Sequence, residues 1–359
     1  MKLFSKFNLG KLELKNRIVM SPMTRSRATA EHIPNELMVE YYKQRASAGL
    51  IITEGTAPSA NGTGYPRIPG IYNPAQIQGW KKITDAVHAK QGKMFLQMMH
   101  TGRVSHPENM PAGAKIIAPS AIGLNGQIYT DSKGLQNFPV PREMSIADIE
   151  QAQNEFVQAA KNAIKAGFDG VEIHGANGYL IDQFINPAAN QRNDNYGNTV
   201  ENRCRFAIEV AQKVVKAIGQ EKTGMRLSPY GVFNDMSIFD QIEQTYKYLA
   251  DALGKIKLVY IHLVDHSSMG SPQVPEAIVS NIRKFFKGNI IASGGLDKEK
   301  AEAILKADKA DLTAFGRAFL ANPDLVYKMQ NDVALNNPDY DTFYTPGEKG
   351  YTDYPISAK

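Results

Sequence analysis

A histidine, an asparagine and a tyrosine lie close together in the run His174-Gly175-Ala176-Asn177-Gly178-Tyr179. Two neutral donors, His174 and Asn177, could share one oxygen atom and stabilise negative charge that develops on it. A phenol beside them, Tyr179, could then deliver a proton. Taken alone, the same spacing fits a capped turn with a hydrogen-bonded core histidine equally well.

Two glycine-containing runs are typical of a phosphate site. They are Ser293-Gly294-Gly295 and Phe315-Gly316-Arg317, each directly after an apolar run. Glycine lets backbone N–H groups approach a phosphate, and Arg317 adds positive charge. Either run alone could be a tight turn. Because both occur at strand ends where barrels commonly bind phosphate, the phosphate interpretation is favoured.

Three further polar residues follow or interrupt apolar runs: Thr24, Gln97 and Arg226. Any one of them could be an isolated buried polar residue. Together they offer an alcohol, an amide and a fixed cation around one cavity. This set suits a planar heterocycle with carbonyl and imide edges, and a cation there would stabilise a reduced ring. A flavin fits this description.

Apolar runs that alternate with helical patterns must position these residues. The runs are 17–20, 50–53, 94–99, 170–174, 225–228, 258–264, 290–292 and 312–315. The helical patterns that follow them are 35–48, 75–90, 146–166, 203–218, 241–253, 275–286, 298–306 and 324–331. Near-continuous apolar strands separated by helices predict a parallel sheet buried on both faces. Eight units predict an α/β fold of the (β/α)₈ TIM-barrel type, with active-site residues at the carboxyl ends of the strands.

A doubly wound sheet is the alternative architecture, but it would normally carry a glycine-rich turn after its first strand. The chain instead reads Ser21-Pro22-Met23-Thr24-Arg25 at that point, which favours the barrel. Three segments lie outside the repeat. Residues 4–16 are predicted to form an N-terminal hairpin that could close the barrel floor. Residues 101–145 are predicted to form a long capping excursion after the third strand, and residues 342–359 a tail. We expect one domain over 1–359.

The composition excludes several kinds of site. A single cysteine, Cys204, rules out an intrachain disulfide and four-cysteine zinc or iron–sulfur centres, and its surroundings predict a buried helical thiol. The seven histidines suggest no metal site. His262 and His266 are four residues apart, and strand geometry would hold their two rings far from each other.

A net charge of +5 without a basic block gives little reason to expect nucleic-acid or membrane binding. No run reaches transmembrane or signal-peptide character, so we expect a cytoplasmic protein.

The chain resembles the Old Yellow Enzyme family of FMN-dependent ene-reductases over nearly its whole length. The most specific matches are Pro22-Met23-Thr24-Arg25, His100-Thr101-Gly102-Arg103, the block from His174 to Phe184, Asn193-Asp194-Asn195-Tyr196-Gly197 with Glu201-Asn202-Arg203, and Phe315-Gly316-Arg317. Thr24 places it in the branch that carries threonine where another branch carries cysteine.

The resemblance implies a TIM barrel that uses NADPH or NADH to reduce FMN and then reduces the C=C bond of an α,β-unsaturated carbonyl compound, in ping-pong fashion. It implies that His174 and Asn177 bind the substrate carbonyl oxygen. Hydride would pass from flavin N5 to Cβ, and Tyr179 would protonate Cα. Flavin ligands would be Pro22, Met23, Thr24, Gly55, Gln97, Arg226, Gly295, Gly316 and Arg317. Substrate-side residues would also include Tyr65, Tyr351 and Met99.

The chain departs from many family members at one place, and at another place the family members differ among themselves. Met98 and Met99 fill a stretch where many members have tryptophan, and flexible methionine predicts a roomier, more adaptable pocket wall. The carbonyl pair is His/Asn where some relatives have His/His, and we expect the two pairs to be equivalent donors.

Three other functions are compared with the residues. An FMN barrel acting on tRNA uracil is disfavoured, because it would use a cysteine acid and an added RNA-binding domain, and Cys204 lies on a predicted helix. A dienoyl-CoA reductase with an iron–sulfur cluster is excluded, because the chain has one cysteine. A flavin-binding protein without turnover is a third alternative. We expect a monomer or homodimer that acts on small molecules.

Replacing Thr24 by alanine tests its implied contact with the flavin. Thr24→Ala removes a hydrogen-bond donor that would stabilise the extra negative charge of the reduced ring, so the flavin reduction potential should fall. A redox titration of the two proteins measures this, and an identical potential would contradict the role.

Overall fold

Eight parallel strands form a closed barrel in the computed structural model, which describes residues 1–357. The strands of the described chain are β1 Phe7–Leu9, β2 Leu12–Leu14, β3 Ile18–Met20, β4 Leu50–Ile52, β5 Met94–Met98, β6 Ile117–Ala118, β7 Gln127–Thr130, β8 Gly134–Asn137, β9 Arg142–Glu143, β10 Gly170–Gly175, β11 Thr223–Leu227, β12 Tyr260–Val264, β13 Asn289–Ser293 and β14 Leu312–Phe315. The barrel order is β3-β4-β5-β10-β11-β12-β13-β14, with β14 returning to β3. The predicted (β/α)₈ barrel is therefore confirmed.

Helices connect the strands and cover the barrel. They are α1 Glu36–Gln44, α2 Pro74–Ala89, α3 Ile146–Lys165, α4 Leu180–Ile185, α5 Val200–Ile218, α6 Ile242–Ile256, α7 Glu276–Phe285, α8 Lys298–Lys306, α9 Arg317–Ala321 and α10 Leu325–Gln330. Side-chain caps set several of their starts. Asn73 and Gln76 form a capping box at α2, and Ser145 and Asp148 form one at α3.

The sequence pattern missed two short helices, α4 and α9, and began α5 three residues late. Thr199 accepts a hydrogen bond from the backbone of Asn202, so α5 begins at Val200. Helices α4 and α9 have only six and five residues, too few for an apolar period to be recognised. Both follow strand ends at which site residues had been predicted.

The N-terminal hairpin closes the amino end of the barrel, as expected. Leu9 and Leu14 are fully buried in a cluster with inward-facing residues such as Val19, Phe95 and Leu312. The turn of the hairpin consists of Gly10 and Lys11, because β1 ends at Leu9 and β2 begins at Leu12. This apolar plug fills one end of the barrel and leaves the polar residues at the other end.

The excursion between β5 and α3 lies across the carboxyl end of the barrel. Its Asn109 amide donates to the carbonyl oxygens of Gly64 and Tyr129, and its Arg103 donates to that of Asn234. These bonds join loops that follow three different barrel strands. Such a placement is what a capping role requires, and that role of 101–145 stays a prediction.

The C-terminal tail is held by buried arginines of the first barrel loop. Arg25 donates to the carbonyl oxygens of Phe343 and Gly350, and Arg27 donates to those of Thr342 and Phe343. The tail is thereby fixed beside the loop that carries Thr24.

Helices long and apolar enough to cross a membrane are absent from residues 1–357. The single cysteine, Cys204, is buried on α5, as predicted, and burial raises the pKa of its thiol.

The floor plug can be tested by truncating one leucine. Leu9→Ala leaves a cavity among buried side chains, so the free energy of unfolding should fall by about 2–5 kcal/mol. Leu135→Ala is the matched control, because Leu135 lies 60% exposed on the excursion and should change the value by less than about 0.5 kcal/mol. Urea denaturation followed by circular dichroism measures both. An equal loss in the two variants would contradict the plug.

Candidate active site

The corner after β10 brings His174, Asn177 and Tyr179 into one place. Asn177 and Gly178 adopt left-handed backbone conformations, with φ of 61° and 75°. At Gly178 a side chain would also strike the Phe233 carbonyl oxygen, at 2.7 Å from a Cβ, so glycine is required there. The tight corner turns the chain back over the strand end and directs the three side chains to the same cavity.

His174 presents an unpaired ring to that cavity. It is 3% exposed, and its Nδ1 has no hydrogen-bond partner within residues 1–357. Burial, followed by the charge of Arg226, lowers the pKa of His174 well below its ordinary value. The imidazole is therefore neutral near pH 7 and carries one N–H that can be donated.

Hydrogen bonds fix the backbone of Asn177 on both sides of its Cα atom. Its backbone N–H donates to Ser228 Oγ at 2.9 Å, and its carbonyl oxygen accepts from the Asn234 amide at 2.7 Å. Its side-chain oxygen Oδ1 lies 2.7 Å from Nε2 of His266. The amide nitrogen Nδ2 makes no hydrogen bond within the described chain and stays available as a donor.

Tyr179 meets a second tyrosine. Its hydroxyl lies 3.1 Å from that of Tyr65, and the two rings are arranged edge to face. The ring of His174 is 5.2 Å away, centroid to centroid. Burial raises the pKa of Tyr179 to about 12, so the phenol keeps its proton at neutral pH. The group can act as an acid.

Asp182 holds the corner from beneath. This carboxyl is 4% exposed and accepts a hydrogen bond from the Gly178 backbone at 2.8 Å. Burial raises the pKa of Asp182 to about 7, against the opposing effect of Gly178 and the Ser228 hydroxyl. Because Ser228 also accepts from Asn177, these residues connect the corner to the end of β11.

A buried polar network lies on the barrel interior next to this corner. Glu172 accepts from the Gln97 amide at 2.8 Å and lies 2.8 Å from His262 Nδ1. His262 Nε2 is 3.0 Å from Ser293 Oγ. The network links β5, β10, β12 and β13 and uses one of the predicted flavin ligands, Gln97.

Arg226 supplies a cation at the same level of the barrel. It pairs in register with His174 on β10 and His262 on β12. The side chain is 7% exposed, and its Nε has no partner within residues 1–357. A guanidinium left without hydrogen bonds is costly unless a ligand completes it, so Arg226 marks a binding site for an acceptor or anion.

The predicted phosphate loops lie on neighbouring strands, β13 and β14, which pair in parallel. Gly294 and Gly295 have φ of 118° and 60°, and a Cβ at Gly294 would collide with the backbone of Asp265. Gly316 caps α9, and Arg317 is exposed with Nη1 3.4 Å from the Tyr340 hydroxyl. The two loops therefore bring glycine backbone and the exposed guanidinium of Arg317 to a single edge of the barrel.

The remaining predicted flavin ligands surround the ends of β3 and β4. Thr24 and Met23 are half-buried and Pro22 is buried after β3. A Cβ at Gly316 would lie 3.5 Å from the Met23 sulfur, so this loop adjoins the phosphate edge. Gly55 leaves room that the side chain of Met99 fills. Met99 thus lies against a predicted ring-lining residue.

The predicted pocket wall includes Tyr351 and the methionine pair. Tyr351 is fully buried with its ring stacked on Tyr41 at 4.0 Å between centroids, and its role on the substrate side stays a prediction. The tail residue whose charge would act on Tyr65 and Tyr179 is Tyr344, which is exposed. Met98 packs in the outer core, because side chains alternate along β5 and Gln97 points inward. Of the methionine pair, Met99 is the one that lies beside Gly55, a predicted flavin ligand.

Sequence reasoning missed the support of this corner by His266, Asp182 and Ser228. His266 had been considered only as a metal ligand, and no group of three or more candidate ligands in the described chain could hold a metal ion. Its position just beyond the predicted sixth strand was the available signal, since strand ends face the site.

Asp182 should make stability depend on pH. Its pKa is raised from 3.8 to about 7 in the folded chain. As the pH rises, the unfolded state therefore loses this proton first, and the free energy of unfolding falls between about pH 4 and pH 7. Glu54, whose pKa burial also raises to about 7, contributes in the same direction. Asp182→Asn keeps an acceptor for Gly178 and should reduce the fall in melting temperature over this range, whereas the exposed control Asp85→Asn should not. An unchanged fall in Asp182→Asn would contradict the assignment.

The comparisons with known proteins identify the family of the chain. Residues 2–336 match the model of the NADH:flavin oxidoreductase / NADH oxidase family. The chain is 42% identical to chanoclavine-I aldehyde reductase of Penicillium roqueforti (strain FM164), covering all of this chain and 97% of that one. It is 40% identical to a probable flavin mononucleotide-dependent alkene reductase of Leishmania infantum, over 97% of this chain and 95% of that one.

Among solved structures, morphinone reductase superposes with a TM-score of 0.95 at 42% identity, over 99% of this chain and 96% of that one. A second morphinone reductase structure, with a TM-score of 0.94 at 41% identity over 100% of this chain and 98% of that one, is a complex with tetrahydroNAD. The chain belongs to the NADH:flavin oxidoreductase / NADH oxidase family, and the resemblance to Old Yellow Enzyme is confirmed.

Proposed function

We propose that this protein reduces the activated C=C bond of α,β-unsaturated carbonyl compounds, such as enones, enals and maleimides, with FMN as cofactor and NADPH or NADH as reductant. One observation carries the proposal: a neutral histidine, a free amide N–H₂ and a protonated phenol converge beside an unpaired buried arginine. The relatives named as alkene and morphinone reductases support it. We expect a monomer or homodimer that acts on small molecules and not on nucleic acid.

The residues around the cavity suit FMN. Arg226, with its unpartnered Nε, and Gln97 would bind the polar edge of the ring, while Gly295, Gly316 and Arg317 would bind the phosphate. The ring itself would lie near the residues after β3 and β4, namely Pro22, Met23, Thr24 and Gly55. When bound, FMN supplies the hydride that the alkene carbon receives, after being reduced by the nicotinamide.

The carbonyl oxygen of the substrate is assigned to His174 and Asn177. Both groups are neutral donors, so they polarise the carbonyl and draw electron density away from Cβ. They also stabilise the negative charge that develops on this oxygen, beside the buried side chain of Arg226. Neutrality of His174 matters here, because a charged imidazolium would cost much more to bury.

The proton for Cα is assigned to Tyr179. Its raised pKa keeps the phenol protonated, and the developing enolate is the base that accepts this proton. The Tyr65 hydroxyl, 3.1 Å away, can donate to the phenolic oxygen as the proton leaves. Tyr65 therefore lowers the cost of forming a phenolate in a buried place.

Purification and a ligand titration test the proposed function directly. The protein should carry FMN, with the absorbance of an oxidised flavin, and a phenol should produce a long-wavelength charge-transfer band. A colourless protein that cannot be reconstituted with FMN would contradict the proposal.

Tyr179→Phe separates the two half-reactions. The variant loses only the acid, so flavin reduction by NADPH should stay near the wild-type rate while alkene reduction slows by about 100-fold or more. Stopped-flow absorbance measures each half-reaction, and Tyr129→Phe, on the exposed part of the excursion, is the control. Equal slowing of both half-reactions would exclude Tyr179 as the proton donor.

A further inference from the structure

We infer that His266 is a positioning residue that turns the side-chain amide of Asn177, so that its N–H₂ group and not its oxygen faces the substrate carbonyl. The inference rests on the proposed function, since it concerns how the carbonyl-binding pair is prepared. His266 does not belong to the motifs through which the chain resembles its family.

The contact between the two side chains is short and enclosed. His266 Nε2 lies 2.7 Å from Asn177 Oδ1, and His266 is 7% exposed. An asparagine amide has an acceptor oxygen on one side and a donor nitrogen on the other. When His266 donates to the oxygen, the nitrogen is left to point into the cavity beside His174.

The opposite orientation would defeat carbonyl binding. If the amide were rotated, its nitrogen would donate to His266 and its oxygen would face the substrate. Two carbonyl oxygens would then oppose each other, and one donor of the pair would be lost. The choice between the orientations therefore depends on a hydrogen at Nε2 of His266.

The charge state of His266 fits this role. Burial, together with the charge of Arg226, lowers the pKa of His266 to about 4, although Asp265 acts in the opposite direction. The ring is neutral near pH 7 and has one N–H, which the contact with Asn177 places on Nε2. Neutral His266 thus does not repel Arg226, and it still keeps the N–H that donates to Asn177.

The surroundings hold both partners still. Phe233 packs edge to face on the His266 ring at 4.7 Å, between ring centroids. The carbonyl oxygen of His266 accepts from the backbone of Met269 at 2.8 Å, and Asp265 accepts from that of Ser267. Since Ser228 and Asn234 fix the backbone of Asn177, rotation of its amide is the freedom that His266 removes.

A double-mutant cycle on the FMN-loaded protein tests the inference. The dissociation constant of phenol is measured from its charge-transfer band in wild type, His266→Ala, Asn177→Ala and the double variant. His266→Ala should weaken phenol binding about tenfold when Asn177 is present, the scale of one hydrogen bond. In the Asn177→Ala background it should change binding by less than about twofold, because its effect passes through that amide.

A conservative variant and a remote control complete the test. His266→Gln keeps a side-chain N–H₂ group that can donate to Asn177 Oδ1. The phenol affinity of this variant should therefore stay within about threefold of wild type. His88→Ala, which removes a histidine paired with Asp169 near the opposite end of the barrel, should leave affinity unchanged.

Equal weakening by His266→Ala in both backgrounds, or no weakening in either, would overturn the inference and leave the proposed function standing. A Gln variant as weak as the Ala variant would overturn it as well. An FMN-loaded wild type that binds no phenol would instead contradict the proposed function, and the inference with it.

Discussion

The carboxylate of Glu172 lies in the barrel interior without access to water, so the groups around it must compensate its charge. Gln97 on β5 and His262 on β12 bind its two oxygens, and Arg226 provides a nearby positive charge. Removing any of these partners would leave a buried charge poorly compensated. The apolar plug below and the polar cavity above are therefore separated by one network that the closed barrel makes possible.

The same barrel closure determines what the cavity can do. Parallel strands place His174, Arg226 and His262 side by side at one level, and desolvation keeps both imidazoles neutral beside the guanidinium. Above them, the left-handed corner at Asn177 and Gly178 directs an amide and a phenol into the opening. The result is a set of neutral donors around one fixed cation, which suits binding of a carbonyl next to a redox ring.

Most of the fold could be predicted from the sequence, because buried parallel strands are continuous apolar runs and their order follows from right-handed connections. The site could be predicted where residues belong to one strand and its loop, as at His174 to Tyr179. Contacts between distant loops could not. Neither the contact of His266 with Asn177 nor the stacking of Tyr351 on Tyr41 follows from spacing, since each depends on how separate segments meet in three dimensions.

The proposed activity is the transfer of reducing equivalents from the bound flavin to an activated alkene. Anaerobic mixing of the NADPH-reduced protein with 2-cyclohexenone, followed at the flavin absorbance, tests it most directly. We predict that the flavin is reoxidised and that cyclohexanone forms in an amount equal to the flavin. A reduced flavin that persists in the presence of the enone would contradict the account and favour a flavin-binding protein without turnover.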